Sequence, residues 1–237
     1  MHEVGVVGGL GPAATAAFLG RVVSATDAAK DQDHVNLVVL QHSAVPDRTD
    51  FITGASDADP TPLLVGDAVR LASWGVVAVV MPCNTATAFV EAMRAAVTIP
   101  VLDIVDIALD EAATRGWRRV GVLATEGTRA AATYDRSGVG RDIAIVYPSA
   151  AAQLTINSLI FDFVKAGKVA PESMLESAIQ DLIDAGVDGV ILGCTELSVA
   201  AEGLVDSHVV DALDALARRT VIAGGGRLRA PAPNKLP

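Results

Sequence analysis

The chain has 237 residues, 51% of them apolar, enough for one large α/β domain or two small ones around a core built mainly from Ala and Val. A net charge of −10 without any basic cluster argues against nucleic acid and anionic membranes as partners, and an anionic ligand would need a local Arg or Lys. No run reaches the roughly 18 apolar residues of a membrane span. The start, Met1-His-Glu-Val-Gly, lacks a basic and apolar signal pattern, so a soluble cytoplasmic protein is expected.

Residues 3–7 read as a strand ending in Gly8-Gly9, and the small residues over 13–23 have helical spacing. The apolar run 35–40 is expected to be a strand buried on both faces. A helix over 61–73 leads into a strand over 76–81, then Cys83, then a helix over 86–96. A short strand from Pro100 and a helix over 105–115 complete this set. The pattern then restarts. Arg119-Val-Gly-Val-Leu-Ala-Thr125 parallels Glu3-Val-Gly-Val-Val-Gly-Gly9, and 143–147 parallels 35–40. A helix over 173–185 precedes a strand over 187–192 and Cys194, and His208-Val-Val-Asp211 echoes Pro100-Val-Leu-Asp103.

These landmarks recur in order about 110 residues apart, which predicts an α/β protein of two homologous, pseudo-symmetric halves. Each half is expected to have a short parallel sheet flanked by helices, with the site in the cleft between them. The expected division is 1–107 plus about 205–223 for the first domain and 108–204 for the second, with 224–237 as a flexible tail. Residues after about 217 should form a last helix returning to the first half.

The only two cysteines, Cys83 and Cys194, each follow a glycine by eight residues and an apolar run of strand length. Two thiols delivered from matching strand ends can face each other across a cleft, an arrangement suited to removing a proton on one side and returning one on the other. Inert buried thiols or a disulfide are the alternatives, the latter disfavoured in a cytosolic chain. A helix N-terminus after each cysteine is expected to lower its pKa. Only four His occur, none with ligand spacing near either Cys, so no metal is expected. Gly8-Gly9 does not complete Gly-x-Gly-x-x-Gly, so a dinucleotide site is unsupported.

Five ordered motifs carry a resemblance: Gly8-Gly-Leu-Gly-Pro-Ala-Ala-Thr15, Pro46-Asp-Arg-Thr49, Pro82-Cys-Asn-Thr-Ala86, Leu123-Ala-Thr-Glu-Gly-Thr128 and Leu192-Gly-Cys-Thr-Glu-Leu197. Together they resemble the aspartate/glutamate racemase family, and their first and last motifs are similar to its aspartate branch. The Asp-Ser and the His after Cys-Thr of glutamate racemases are missing. The resemblance implies a cofactor-independent amino-acid racemase acting on aspartate, or on glutamate, with Cys83 and Cys194 exchanging the α-proton. A homodimer is expected, with no nucleic acid or membrane partner.

The candidate residues for binding a dicarboxylate are Gly9, Arg48, Asn84, Thr85, Thr125, Thr128, Lys165, Thr195 and Glu196. The threonines also fit N-capping roles, and Lys168 competes with Lys165. Arg48 and Lys165 match basic positions that the family uses for the distal carboxylate. Glu196 would hold the substrate ammonium or orient Cys194, while Asp103 and Asp211 are expected to brace the domain junction. Thr87 stands where many aspartate-racemase-like members have His and cannot titrate near neutrality, so Cys83 must be activated by other groups. The alternatives are a superfamily member acting on a hydantoin or another acidic carbon, and a non-catalytic amino-acid-binding protein.

Overall fold

Short Val-, Ile- and Leu-rich runs, too brief for buried helices, become strands that are joined through helices and therefore pair in parallel. The computed structural model describes residues 1–201 and 206–230. Strands β1 (Glu3–Gly8), β2 (Asn36–Gln41), β3 (Ala78–Val80) and β4 (Val101–Leu102) form one sheet, in the order β2-β1-β3-β4. Strands β5 (Arg119–Leu123), β6 (Ala144–Val146), β7 (Gly189–Leu192) and β8 (Val209–Asp211) repeat that order as β6-β5-β7-β8. All neighbours are parallel. The duplication read in the sequence is thus a duplication of topology.

Helices α1 (Pro12–Ala25), α2 (Arg48–Thr53), α3 (Thr61–Ser73), α4 (Val90–Ala96) and α5 (Ile104–Thr114) belong to the first repeat. The second contributes α6 (Glu126–Ala130), α7 (Thr133–Val139), α8 (Ala150–Ser158), α9 (Glu172–Asp184), α10 (Thr195–Ala200) and α11 (Ala212–Ala223). Each sheet buries its outer face in a core of its own, one around Leu64, Leu71 and Met93, the other around Ile156, Leu159 and Leu182. Their inner faces share a third core, in which Val6 and Val80 of the first sheet and Val122 and Ile191 of the second join Leu109 of α5 and Leu213 and Leu216 of α11. Each such fully buried leucine contributes roughly 1.5–3 kcal/mol. The seam is therefore part of the folded core.

Helices α5 and α11 pack on each other, and both begin at a matched aspartate. Asp103 accepts from the Val105 N–H at 2.8 Å, and Asp211 accepts from Leu213 at 2.9 Å and Asp214 at 3.3 Å. These two side chains, expected at the junction, cap the pair of helices that form it.

Several sequence expectations need correction. β2 is a sheet-edge strand whose residues 37–40 are only half-buried, because β1 covers just one of its sides. The helix expected over 86–96 is a 3-10 turn, Thr85–Phe89, followed by the short α4; tight turns of this kind are frequent where a helix starts. The first domain boundary, placed after residue 107, falls inside α5. Residues 209–211, assigned to the first half, pair with β7 and so belong to the second sheet. The boundary at 204/205 lies outside the described residues. The start of the expected tail is tied down: Leu228 bridges to Thr26, and Arg229 N–H donates to the Ala25 carbonyl at 2.8 Å. Tail residues 231–237 lie outside the described residues. No described helix is long and apolar enough to cross a membrane.

Gly189 in β7 has the indole of Trp117 where a side chain would go; a Cβ would stand 2.3 Å from the ring. Gly189→Ala should cost about 2 kcal/mol or more in a urea unfolding curve. Gly20→Ala, in α1 with open space around it, should be neutral or stabilising by about 0.5–1 kcal/mol.

Candidate active site

In open parallel sheets ligands bind beyond the carboxyl ends of the strands, and here both sets of ends converge on one cleft. Cys83 follows β3 and Cys194 follows β7 directly as the N-cap of α10. Both thiols are free and buried, 5% and 4% exposed. They line one small space together with Arg48, Asn84, Thr85, Thr125, Lys165, Thr195 and Glu196. Of the eleven candidates, nine meet there; Thr128 and Gly9 do not.

Thr128 sits behind the wall. Its hydroxyl lies 3.0 Å from Thr85 Oγ1 and 3.1 Å from Thr125 Oγ1, and those two are 2.9 Å apart. The three buried hydroxyls form a closed ring spanning both halves. Thr125 also caps α6 by accepting from the Thr128 N–H at 3.2 Å, so the capping and wall-forming roles coincide. Gly9 takes a left-handed φ of +92°, and a Cβ there would stand 2.6 Å from the His42 backbone. Its N–H donates to Thr15 Oγ1 at 3.0 Å, which leaves it unavailable as the expected donor to substrate. It lines an outer cavity instead.

The inner space is only about 10 Å³, room for about one water. An outer cavity of about 480 Å³ shares Asp47, Arg48, Lys165 and Glu196 with it. Between the two, Lys165 Nζ lies 3.7 Å from Glu196 Oε1. Lys165 is set there by a wide helical turn, Leu159–Val164, where its N–H reaches back to the Ile160 carbonyl at 2.9 Å. Lys168 is exposed and lines neither space. A larger cavity, about 690 Å³ between α1, α10 and α11, holds no cysteine, and its Arg21, Arg115 and Arg218 are each already bound to a carboxylate.

Arg48 is buried, and its partners among the described residues are the backbone carbonyls of Val45, Pro46 and Leu10, at 3.3, 3.0 and 3.1 Å. Its Nε is buried without a partner. A guanidinium out of water with only neutral acceptors is costly, and an anion would relieve that cost. Asn84 Oδ1 accepts from the Tyr134 hydroxyl at 2.7 Å, whereas its buried Nδ2 has no partner among the described residues.

The two thiols differ in surroundings. Cys194 Sγ donates to Glu196 Oε2 at 3.0 Å, and Thr195 Oγ1 donates to the same oxygen at 3.3 Å. Burial first, then the Glu196 charge, push the Cys194 thiol well above the ordinary cysteine value. The expected lowering by a helix N-terminus is therefore overturned at Cys194: α10 has six residues, and its dipole is outweighed by desolvation and a neighbouring carboxylate. Thr85 occupies the position in the first half that Glu196 holds in the second.

Four residues beyond each cysteine the halves match again. Thr87 Oγ1 donates to Asp103 at 3.2 Å, and Ser198 Oγ donates to Asp211 at 2.6 Å. Thr87 thus ties the Cys83 turn to the start of α5. Tyr134 was not singled out from the sequence; its signal is weak, one of two tyrosines with no periodic pattern around it.

A model of the family described as Asp/Glu/Hydantoin racemase matches residues 7–220. The chain belongs to this family. Membership makes it an isomerase. It is 24% identical over 223 residues to the broad specificity amino-acid racemase RacX of Bacillus subtilis, covering 92% of this chain and 96% of that one. It is 32% identical over 188 residues to a glutamate racemase of Deinococcus radiodurans, covering 73% of this chain and 63% of the relative. Among solved structures, the Picrophilus torridus aspartate racemase superposes with a TM-score of 0.85 at 27% identity, covering 97% of this chain and 96% of that one.

Burial, then the nearby Asp106, raise Asp103 to about 6 from 3.8. A carboxyl raised on folding gives stability that is full below about 3.8 and lost as pH rises through about 6. Asp103→Asn keeps a cap and should remove this dependence. The stability of the parent relative to the variant should fall by up to about 3 kcal/mol from pH 4 to 7 in urea unfolding.

Proposed function

We propose that the chain interconverts the enantiomers of aspartate, without a cofactor, through Cys83 and Cys194. One cysteine, as thiolate, takes the α-hydrogen as a proton: a C–H bond breaks, an S–H bond forms, and the electron pair moves into the α-carboxylate. The other, as thiol, gives its proton to the opposite face of the planar carbon. The two thiols then stand in exchanged protonation states, ready for the reverse direction. Their burial keeps water from supplying or taking that proton.

The charge gathering on the α-carboxylate needs fixed donors in a dry site. Asn84, Thr85, Thr125 and Thr195 line the space in which it would develop, the threonines as donors once their hydroxyls turn from their present protein partners. The observation that carries the dicarboxylate reading is Arg48, a buried cation beside the two cysteines without an anionic partner among the described residues. Lys165 adds a second positive charge at the mouth, and an entering side-chain carboxylate would take its ammonium from Glu196. Glu196 holds Cys194 protonated at rest and is placed to accept from the substrate ammonium. A hydantoin ring offers no carboxylate to Arg48, and a mere binding protein has no use for matched thiols. Similarity to the Picrophilus torridus aspartate racemase along nearly the whole chain supports the smaller dicarboxylate, and glutamate is the competing substrate.

Purified protein should racemise aspartate in polarimetry without added cofactor, faster than glutamate. Cys83→Ala and Cys194→Ala should each lower the rate by about 10³-fold or more. Undiminished turnover by either variant excludes the two-base scheme. Arg48→Ala should reduce kcat/KM for aspartate about 100-fold and leave any alanine turnover little changed. Equal losses for both substrates would remove Arg48 from the distal carboxylate.

A further inference from the structure

Tyr134 is fully buried near the start of α7, in the second repeat, and its hydroxyl crosses the seam to Asn84 Oδ1 at 2.7 Å. The same ring lies against the other cysteine loop: a Cβ on Gly193, the residue before Cys194, would stand 3.2 Å from Tyr134 Cε2. One side chain therefore touches the residue after Cys83 and the residue before Cys194. The bend that starts α7 is Ala132, at a φ of +50° that L side chains seldom adopt.

Burial, with the charge of Asp103 next, holds the phenol well above the ordinary tyrosine range, so it stays protonated. A protonated phenol beside an amide has two arrangements. In the one present, the hydroxyl donates to Oδ1, and the buried Nδ2, without a partner among the described residues, is left for a ligand in the cleft that Asn84 lines. With the amide reversed, Nδ2 would donate to the phenol and the phenol proton would lose its acceptor inside the core. Oδ1 would then face a substrate carboxylate. Both changes are unfavourable, so the phenol selects one amide orientation.

We propose that Tyr134 is a positioning residue for the reaction: from the second half, it locks the Asn84 amide of the first with its N–H donors toward the substrate α-carboxylate. This rests on the racemase reading above. The donor that answers the developing negative charge belongs to the first half, but its orientation is dictated by the second.

The test is a double-mutant cycle on racemisation, with unfolding curves for every variant. Tyr134→Phe should lower kcat for aspartate roughly tenfold with a smaller change in KM. Asn84→Ala should lower it at least as far, and the double variant should be no slower than Asn84→Ala alone. A Tyr134→Phe loss of equal size in the Asn84→Ala background would mean that the hydroxyl acts independently of the amide, overturning the proposal. Tyr134→Phe at full rate beside an impaired Asn84→Ala would overturn it while leaving the racemase reading intact. Full activity in Asn84→Ala would remove the amide from the site and the proposal with it; a parent protein without racemase activity would sink both readings. Replacing Tyr134 by 4-aminophenylalanine retains a donor at the ring tip and should keep the rate within about threefold of the parent. That variant decides alone if Tyr134→Phe fails to unfold cooperatively: loss of activity in it counts against the proposal.

Discussion

The structure turns on a cation and two thiols withdrawn from water at one seam. Among the described residues Arg48 is bonded to carbonyls and to no carboxylate, and Cys83 and Cys194 are nearly inaccessible. The arrangement is tolerable because the surrounding core is rigid and shared, with both sheets sealed onto α5 and α11. On the proposed reading, relief of that deficit selects the ligand, and a small dicarboxylate would supply the negative charge. On the proposed reading the same dryness serves the chemistry, since fixed donors in a water-excluded space stabilise carbanion charge far better than donors in solvent.

Duplication explains why the site is nearly symmetric, and the departures from symmetry are where a direction-dependent chemistry would reside. The pairs Thr87–Asp103 and Ser198–Asp211 do the same work in each half, fastening the cysteine turn to the helix at the seam. Two residues after each thiol the copies diverge, to Thr85 on one side and Glu196 on the other. Thr85 joins a neutral ring of hydroxyls, while Glu196 holds a proton on Cys194 and a loose ion pair with Lys165. The mouth of the site and the protonation of one thiol therefore share a single carboxylate. Parting Lys165 from Glu196 to admit substrate would alter the field at Cys194 at the same moment.

Much of this was legible in the sequence because it repeats. The two cysteine frames, the two Asp landmarks and the succession of strands and helices reflect one pattern seen twice, and periodic apolar runs fix elements well. The parts that were not legible depend on tertiary distance. That β2 lies at an edge follows from pairing order, which its apolar run does not reveal. The upward shift of Cys194 depends on burial and on where Glu196 points, whereas spacing suggested only the helix start. Gly9 lines the outer cavity and not the inner space, and its N–H is taken by Thr15, six residues away. Tyr134 carries no periodic signal, and its contact with Asn84 exists only once the halves have met.

The central claim is that the α-proton leaves to one sulfur and a different proton arrives from the other. Racemisation of a single enantiomer in D2O, stopped early and analysed by mass spectrometry of the separated enantiomers, tests this directly. Product carrying deuterium at the α-carbon, with recovered substrate still protiated, is the predicted result. Protium retained in the product together with deuterium in the recovered substrate would mean that a single base serves both faces, and would contradict the account.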